Sequence, residues 1–122
     1  MSLLTRDQIL SAPDASTVYE DVPVPEWGGE VRVKALSGIE RDAFESSVTS
    51  FAGKKVRLSM DNVRARLVAT TLIDEKGQPV LKPSDVTALG EKSAVALDRV
   101  FSVARRLAGL GSNELAQMTE NL

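Results

Sequence analysis

The chain has no histidine and no cysteine. The first absence removes the side chain that most often moves protons near neutral pH. The second removes disulfide staples, thiolate metal sites and thiol nucleophiles. Aromatic residues make up only 4% of the 122 positions, so a core must rest on Leu, Val, Ile and Ala. No apolar run approaches 18 residues, so no membrane-spanning helix is expected. Neither sign of charge dominates: 15 Lys and Arg stand against 17 Asp and Glu, a formal net charge of −2. Domains that wrap nucleic acid are usually basic, and this one is not. There is no Gly-x-x-x-x-Gly-Lys-Ser/Thr loop to cradle a phosphate and no Asp-x-Asp-x-Asp-Gly loop to hold calcium. No cofactor or metal is expected. The start, Met1-Ser2-Leu3-Leu4-Thr5-Arg6-Asp7, lacks the charged and apolar regions of a signal peptide, so a cytosolic protein is expected.

What is present is ordinary for a globular chain. Apolar residues are 43% and charged residues 26%. The length fits one domain with a radius of gyration of roughly 14 Å. Such a domain buries about two thirds of its extended-chain surface.

Thr5 with Gln8 forms a capping box for a short helix over residues 5–12, ended by Ala12-Pro13. Residues 20–36 read as a β-hairpin around a four-residue loop, Trp27 to Glu30. That register opposes Val24 to Val33 and Val22 to Ala35, and turns the nitrogens of Pro23 and Pro25 away from the partner strand. Val22 to Glu26 is therefore expected as an edge strand that its prolines protect from further pairing. Ser37 with Glu40 caps a helix to about Ser50, with Ile39, Ala43, Phe44, Val48 and Phe51 on one half of its circumference. Gly53 to Lys55 reads as a loop. A helix over about 60–73 carries Met60, Val63, Leu67, Thr71 and Leu72 on its apolar side, and Val68 to Ile73 should be its most buried part. Asp74 to Pro83 reads as a turn or a small hairpin. Ser84 starts a short helix ending at Gly90. The last long helix spans about Glu91 to Ala108, with Gly109 in the left-handed position beyond its end. The expected fold is α+β: one mostly helical domain, residues 1–111, with an N-terminal β-hairpin packed on three principal helices. A loosely ordered tail, 112–122, follows.

Candidate chemistry is thin. Glu40, Asp42 and Glu45 lie on the polar side of one helix and read as a solvated face. Asp74-Glu75 fits a turn. Ser93 follows Lys92, the only base type left for a serine nucleophile, but successive helical residues point apart. Arg99 and Arg106 share a helix face as a DNA-reading helix would want, yet Asp98 lies beside them, and a solvated face is again the plainer reading. Two features suggest partner contacts. Trp27 lies with Pro25 on the hairpin face away from Val24 and Val33, where it meets either a partner or another helix. Leu110 follows Gly109, and Leu115, Met118 and Leu122 recur at helical spacing in a polar tail, a stripe for the protein's own core or for a partner.

Three stretches together resemble one family. The first is Trp27-Gly28-Gly29-Glu30-Val31-Arg32-Val33-Lys34-Ala35-Leu36-Ser37-Gly38-Ile39-Glu40-Arg41-Asp42-Ala43-Phe44-Glu45. The second is Asn62-Val63-Arg64-Ala65-Arg66-Leu67-Val68 followed by Leu72-Ile73-Asp74-Glu75-Lys76-Gly77. The third is Leu89-Gly90-Glu91-Lys92-Ser93-Ala94-Val95-Ala96-Leu97-Asp98-Arg99-Val100-Phe101. Over residues 18–111 their order and spacing resemble the small tail assembly chaperones of long-tailed bacteriophages. The resemblance implies a non-enzymatic protein that binds the apolar tape measure protein and keeps it soluble and extended while tube subunits polymerise around it. It implies work in the host cytoplasm and absence from the finished virion. It also implies self-association and, where a frameshift extends the chain after Gly109, recruitment of tail tube subunits. Partner-binding positions expected here are Trp27, Leu110, Leu115 and Met118. The alternatives are a small DNA-binding or regulatory protein, and a structural tail or head-completion protein of the virion.

Overall fold

The computed structural model describes residues 2–14, 17–52, 55–58 and 62–109, with the side chains of 48–52 and 55–58 left aside. Helix α1 spans Arg6–Ser11, and strands β1 (Tyr19–Val24) and β2 (Gly29–Lys34) form the hairpin. Helix α2 (Gly38–Val48) leads into strands β3 (Thr49–Ala52) and β4 (Lys55–Leu58). Then come α3 (Val63–Thr71), β5 (Leu72–Ile73), α4 (Val86–Gly90) and α5 (Ala94–Leu107). One antiparallel sheet runs β1-β2-β5, and β3-β4 is a separate pair. The fold is α+β.

The hairpin register differs from the expected one. Val24 faces Gly29, Val22 faces Val31 and Glu20 faces Val33. The turn is a 3₁₀ turn over Pro25–Trp27 closed by Gly28, not the loop Trp27 to Glu30. The fixed φ of Pro25 suits the first position of such a turn, where no N–H is needed. Gly28 supplies the left-handed end at φ +82 and donates its N–H to the Pro25 carbonyl at 3.0 Å. Each partner moves by an even number of residues, so every side chain keeps its face. The outward proline survives in part. Ala35 N–H donates to Val18 O at 2.9 Å, which makes that a hydrogen-bonded pair. Alternation then places Pro23, opposite Glu30, at a non-hydrogen-bonded site with its nitrogen on the open rim of β1.

Both capping boxes form. Thr5 Oγ1 accepts from Gln8 N–H at 3.3 Å, and Gln8 Oε1 accepts from Thr5 N–H at 2.9 Å. Ser37 and Glu40 do the same for α2, at 3.3 and 3.0 Å. Several expected helices are shorter. α2 gives way at Thr49 to a hairpin where helix to Ser50 and a loop to Lys55 were expected; β-branched Val48 and Thr49 favour strand over helix. Asn62, at φ +55, precedes α3, and the expected start at Met60 lies outside the described residues. α3 stops at Thr71, not Ile73, because Leu72 and Ile73 pair with Val33 and Arg32 of β2. On their other side Val80 N–H donates to Leu72 O at 3.1 Å, around a turn in which Asp74 Oδ1 accepts from the N–H groups of Lys76 and Gln78. The small hairpin read at Asp74 to Pro83 is thus present. The short helix is preceded by a 3₁₀ turn over Pro83–Asp85, and Asp85, not Ser84, closes its start by accepting from Lys82 N–H at 2.8 Å. α5 begins three residues later than expected because Ser93 caps it, its Oγ accepting from Ala96 N–H at 3.3 Å. Gly109 takes the left-handed position, φ +75, as read.

The core lies between the inner face of the hairpin and α3 and α5. Val22, Val24 and Val33 meet Leu67, Val68, Leu72, Leu97, Val100 and Phe101, with Phe44 entering from α2 and Leu89 from α4. Ala65, Ala96 and Ala104 are wholly buried and let α3 and α5 approach closely. Thr71 is the one buried polar side chain among the described residues, and its hydroxyl lies 3.0 Å from the carbonyl oxygens of Leu67 and Val68. The second half of α3 is its most buried part, as expected. α2 departs from its expected pattern: Phe44 is buried, but Ala43 is exposed and Ile39 is 83% exposed.

Candidate functional site

Among the described residues, charge is organised in ion pairs. Among the described residues no group of three or more Asp, Glu, His or Cys is placed to hold a metal ion. The carboxylates with displaced acidities all move down. Glu26 is held at about 2 by hydrogen bonds from the Arg99 guanidinium, at 2.7 and 2.9 Å. Asp21 is lowered by Arg32, which grips both its oxygens and stacks on Tyr19 with its guanidinium 4.3 Å from the ring centre. Partial burial pushes Glu40 up, but hydrogen bonds from Lys34 and from Ser37 N–H outweigh it. These groups stay ionised as structural anions. A general acid needs the opposite displacement.

The arginines that suggested a DNA-reading face are cross-braces. Arg99 grips Glu26 at the hairpin turn, Arg106 pairs with Glu20 on β1, and Arg64 pairs with Asp98 at 3.1 Å. The first two tie α5 to the hairpin and the third ties α3 to α5.

The most apolar concavity among the described residues is a groove of about 640 Å³ between α2, α3 and the segment 79–87. Phe44 and Ala69 form its floor, and Pro79, Leu81, Pro83 and Val86 form one wall. Glu40, Arg66, Thr70 and Thr87 stand on its rim. The local causes are plain. The 72–80 hairpin turns the chain back beside α3, and Pro83 starts the 3₁₀ turn that carries Val86 toward α2. Ser47 O accepts from Arg66 Nη1 at 2.9 Å, joining α2 to α3 at one end. Two other clefts among the described residues are polar, one lined by the Arg64–Asp98 pair with Lys92, the other by the Arg32–Asp21 pair with Asp74 and Lys76.

A second apolar feature is convex. Leu3, Leu4, Ile9 and Leu10, on and beside α1, are 56–97% exposed, and α1 has no buried residue.

Of the partner-binding positions expected from sequence, Trp27 lies at the hairpin turn. It packs half-buried against the core and not on the face away from it, and its indole N–H is buried without an acceptor among the described residues. It does not line the groove. Leu110, Leu115 and Met118 lie outside the described residues. Sequence reasoning missed the groove because its wall comes from Pro79, Leu81 and Pro83, read as a turn, and Val86, read in a short helix. The signal was there: Pro79, Leu81 and Pro83 make an unusually apolar turn.

The family model described as phage tail assembly chaperone matches residues 5–120. The chain belongs to that family. The solved structure of the bacteriophage HK97 tail assembly chaperone is similar in fold, with 23% sequence identity, a TM-score of 0.55, and 83% of this chain and 94% of that chain covered. No curated protein matches the chain. The family match takes in both α1 and the positions beyond Gly109. No helix among the described residues is long and apolar enough to cross a membrane.

Proposed function

We propose that the protein binds the tape measure protein of its phage and keeps it soluble and extended while the tail tube polymerises. The family match over residues 5–120 carries this reading. The groove between α2 and α3 supplies the seat: its volume suits a few apolar side chains of a client, within the roughly 300–1,000 Å³ of small binding pockets. Its rim of Glu40, Arg66, Thr70 and Thr87 keeps the complex hydrated. Trp27, Leu110, Leu115 and Met118 add partner contacts. The protein works in the host cytoplasm as a homo-oligomer and is left out of the virion. A frameshifted longer form, joined after Gly109, recruits tail tube subunits; residues 1–111 form the chaperone domain and 112–122 a loosely ordered tail.

Co-expression with the tape measure protein of the same phage tests this. The soluble fraction of that protein should rise several-fold, and a groove variant carrying Ala43→Lys and Thr87→Lys, both at exposed positions, should remove most of the rise. An unchanged soluble fraction with the unmodified chaperone would overturn the reading. Mass spectrometry of purified particles should find no copies, and stoichiometric recovery would favour a structural tail protein instead.

A further inference from the structure

Among the described residues, Asn62 is the one residue other than glycine with a positive φ, at +55. It stands just before α3, and its carbonyl accepts from Arg66 N–H at 3.0 Å. An asparagine at such a position usually turns its side chain back to cap the helix. Here it makes no such bond. Its Nδ2 donates instead to Val86 O at 2.8 Å, across to the start of α4. The same amide rests on Gly90 at the other end of α4. A β-carbon at position 90 would lie 2.2 Å from Asn62 Oδ1 and 2.6 Å from its Nδ2. The fold thus gives up a helix cap, and accepts a disfavoured backbone conformation, for one contact between α3 and α4.

The segment that this contact holds has little else to hold it. Of residues 81–92 only Leu89 is fully buried, with Leu81 and Val86 packed half-buried against the core. The hydrogen bonds of the segment are its own. Lys82 and Asp85 bond in both directions, Glu91 N–H donates to Ala88 O at 3.2 Å, and Lys92 N–H to Leu89 O at 3.1 Å. Among the described residues, the bond from Asn62 is the one that joins this segment to another element. On either side the chain is fixed. Val80 N–H donates to Leu72 O at 3.1 Å, and Ser93 caps α5. Fixed ends, a self-contained interior and a single polar tie describe a unit that opens on its own. That unit carries Leu81, Pro83 and Val86, most of one wall of the α2–α3 groove, while Phe44 and Ala69 belong to the helices of the floor.

We propose that residues 81–92 form a flap hinged at Val80 and Ser93, with Asn62 as its latch, and that the flap opens as a unit and widens the groove without unfolding the core. Opening costs one exposed hydrogen bond and the burial of Leu89, far less than the loss of the whole core. The latch also explains the glycine. Gly90 lies in α4 without a positive φ, where alanine would ordinarily strengthen the helix. It is the Asn62 amide that leaves no room for a methyl group there.

Amide exchange in the full chain reads the latch. In the wild type, Glu91 and Lys92 should exchange at least about tenfold faster than Phe101 and Ala104 of α5. Asn62→Gly removes the amide and suits the positive φ. It should speed exchange at Glu91 and Lys92 by about two- to tenfold, the worth of one hydrogen bond, and hold Phe101 and Ala104 within about twofold. Asn62→Asp keeps the size but cannot donate to Val86 O, and should do the same. Gly90→Ala displaces the amide and should speed exchange at Glu91 and Lys92 in the wild-type background. In the Asn62→Gly background it should slow that exchange, because only the gain in helix propensity remains. A change of sign between backgrounds belongs to a latch and not to a merely structural glycine. Equal effects of Gly90→Ala in both backgrounds would overturn the proposal, as would acceleration at Phe101 and Ala104 matching that at Glu91 and Lys92. The flap is independent of what the groove receives, so the co-expression assay succeeds or fails separately.

Discussion

Glu26 sits at the tip of the hairpin with both oxygens held by Arg99 of α5. Its acidity in the fold, about 2, lies below the ordinary 4.5. A depressed carboxylate contributes stability that is fully present above its unfolded value and is lost as the pH falls through its folded value. Asp21 and Glu40 move in the same direction. Resistance to urea should therefore be nearly flat from pH 8 to 5 and should fall from about pH 4.5 toward 2. Glu26→Gln should lower the urea midpoint at pH 7 and lose that difference by pH 2; a constant gap between the two proteins would argue against the brace. Leu67 is a different kind of residue, wholly buried between the hairpin and α5. Leu67→Ala should cost about 2–5 kcal/mol, because the transfer loss and the cavity add. Against a domain stability of about 5–15 kcal/mol, that is a large fall in Tm on a thermal melt. The residue-level reading of the sequence did well where chemistry is local. Ser37, Glu40, Thr5 and Gln8 name their own partners within three residues. It did poorly for Arg99 and Arg106, whose partners Glu26 and Glu20 lie far away in sequence and are joined only by the fold.

At the scale of elements the same capping chemistry has two different consequences. Ser93 caps α5, which carries Leu97, Val100 and Phe101 into the core. Thr5 caps α1, which carries nothing there. Ser93→Ala should lower global stability by about 1 kcal/mol. Thr5→Ala should leave the thermal midpoint of the monomer within error and only fray α1, visible as faster amide exchange at Gln8. Equal losses in both variants would mean that α1 belongs to the cooperative unit. The boundaries that sequence misplaced share one cause. At Thr49 and Leu72 the chain follows β-pairing, and at Pro25 a 3₁₀ turn closed by Gly28, none of which a helical or hairpin period reveals. The even shift in hairpin register is instructive: alternation of apolar residues fixes which face is buried, but not which pairs oppose. The groove stayed hidden for a related reason, since it exists only where residues 79–87 fold back beside α2.

In its described residues the molecule is a braced wedge of hairpin and helices with an open strand rim along β1, an apolar groove and an exposed apolar N-terminal segment. The rim is interrupted where Pro23 presents no N–H. Pro23→Val keeps the side chain's place on the strand and restores a donor to that rim. Concentrated solutions of the variant should scatter light sooner and more strongly than the wild type, with an equal or higher Tm when dilute; identical scattering would show that the rim is guarded by other means.

That missing donor sets the terms on which copies of this protein can crowd together. A backbone zipper, once begun, propagates and locks. With one tooth absent, encounters along the strand stall before they spread. Along that rim, crowding is then governed by side-chain contacts, which come apart more readily than a strand ladder.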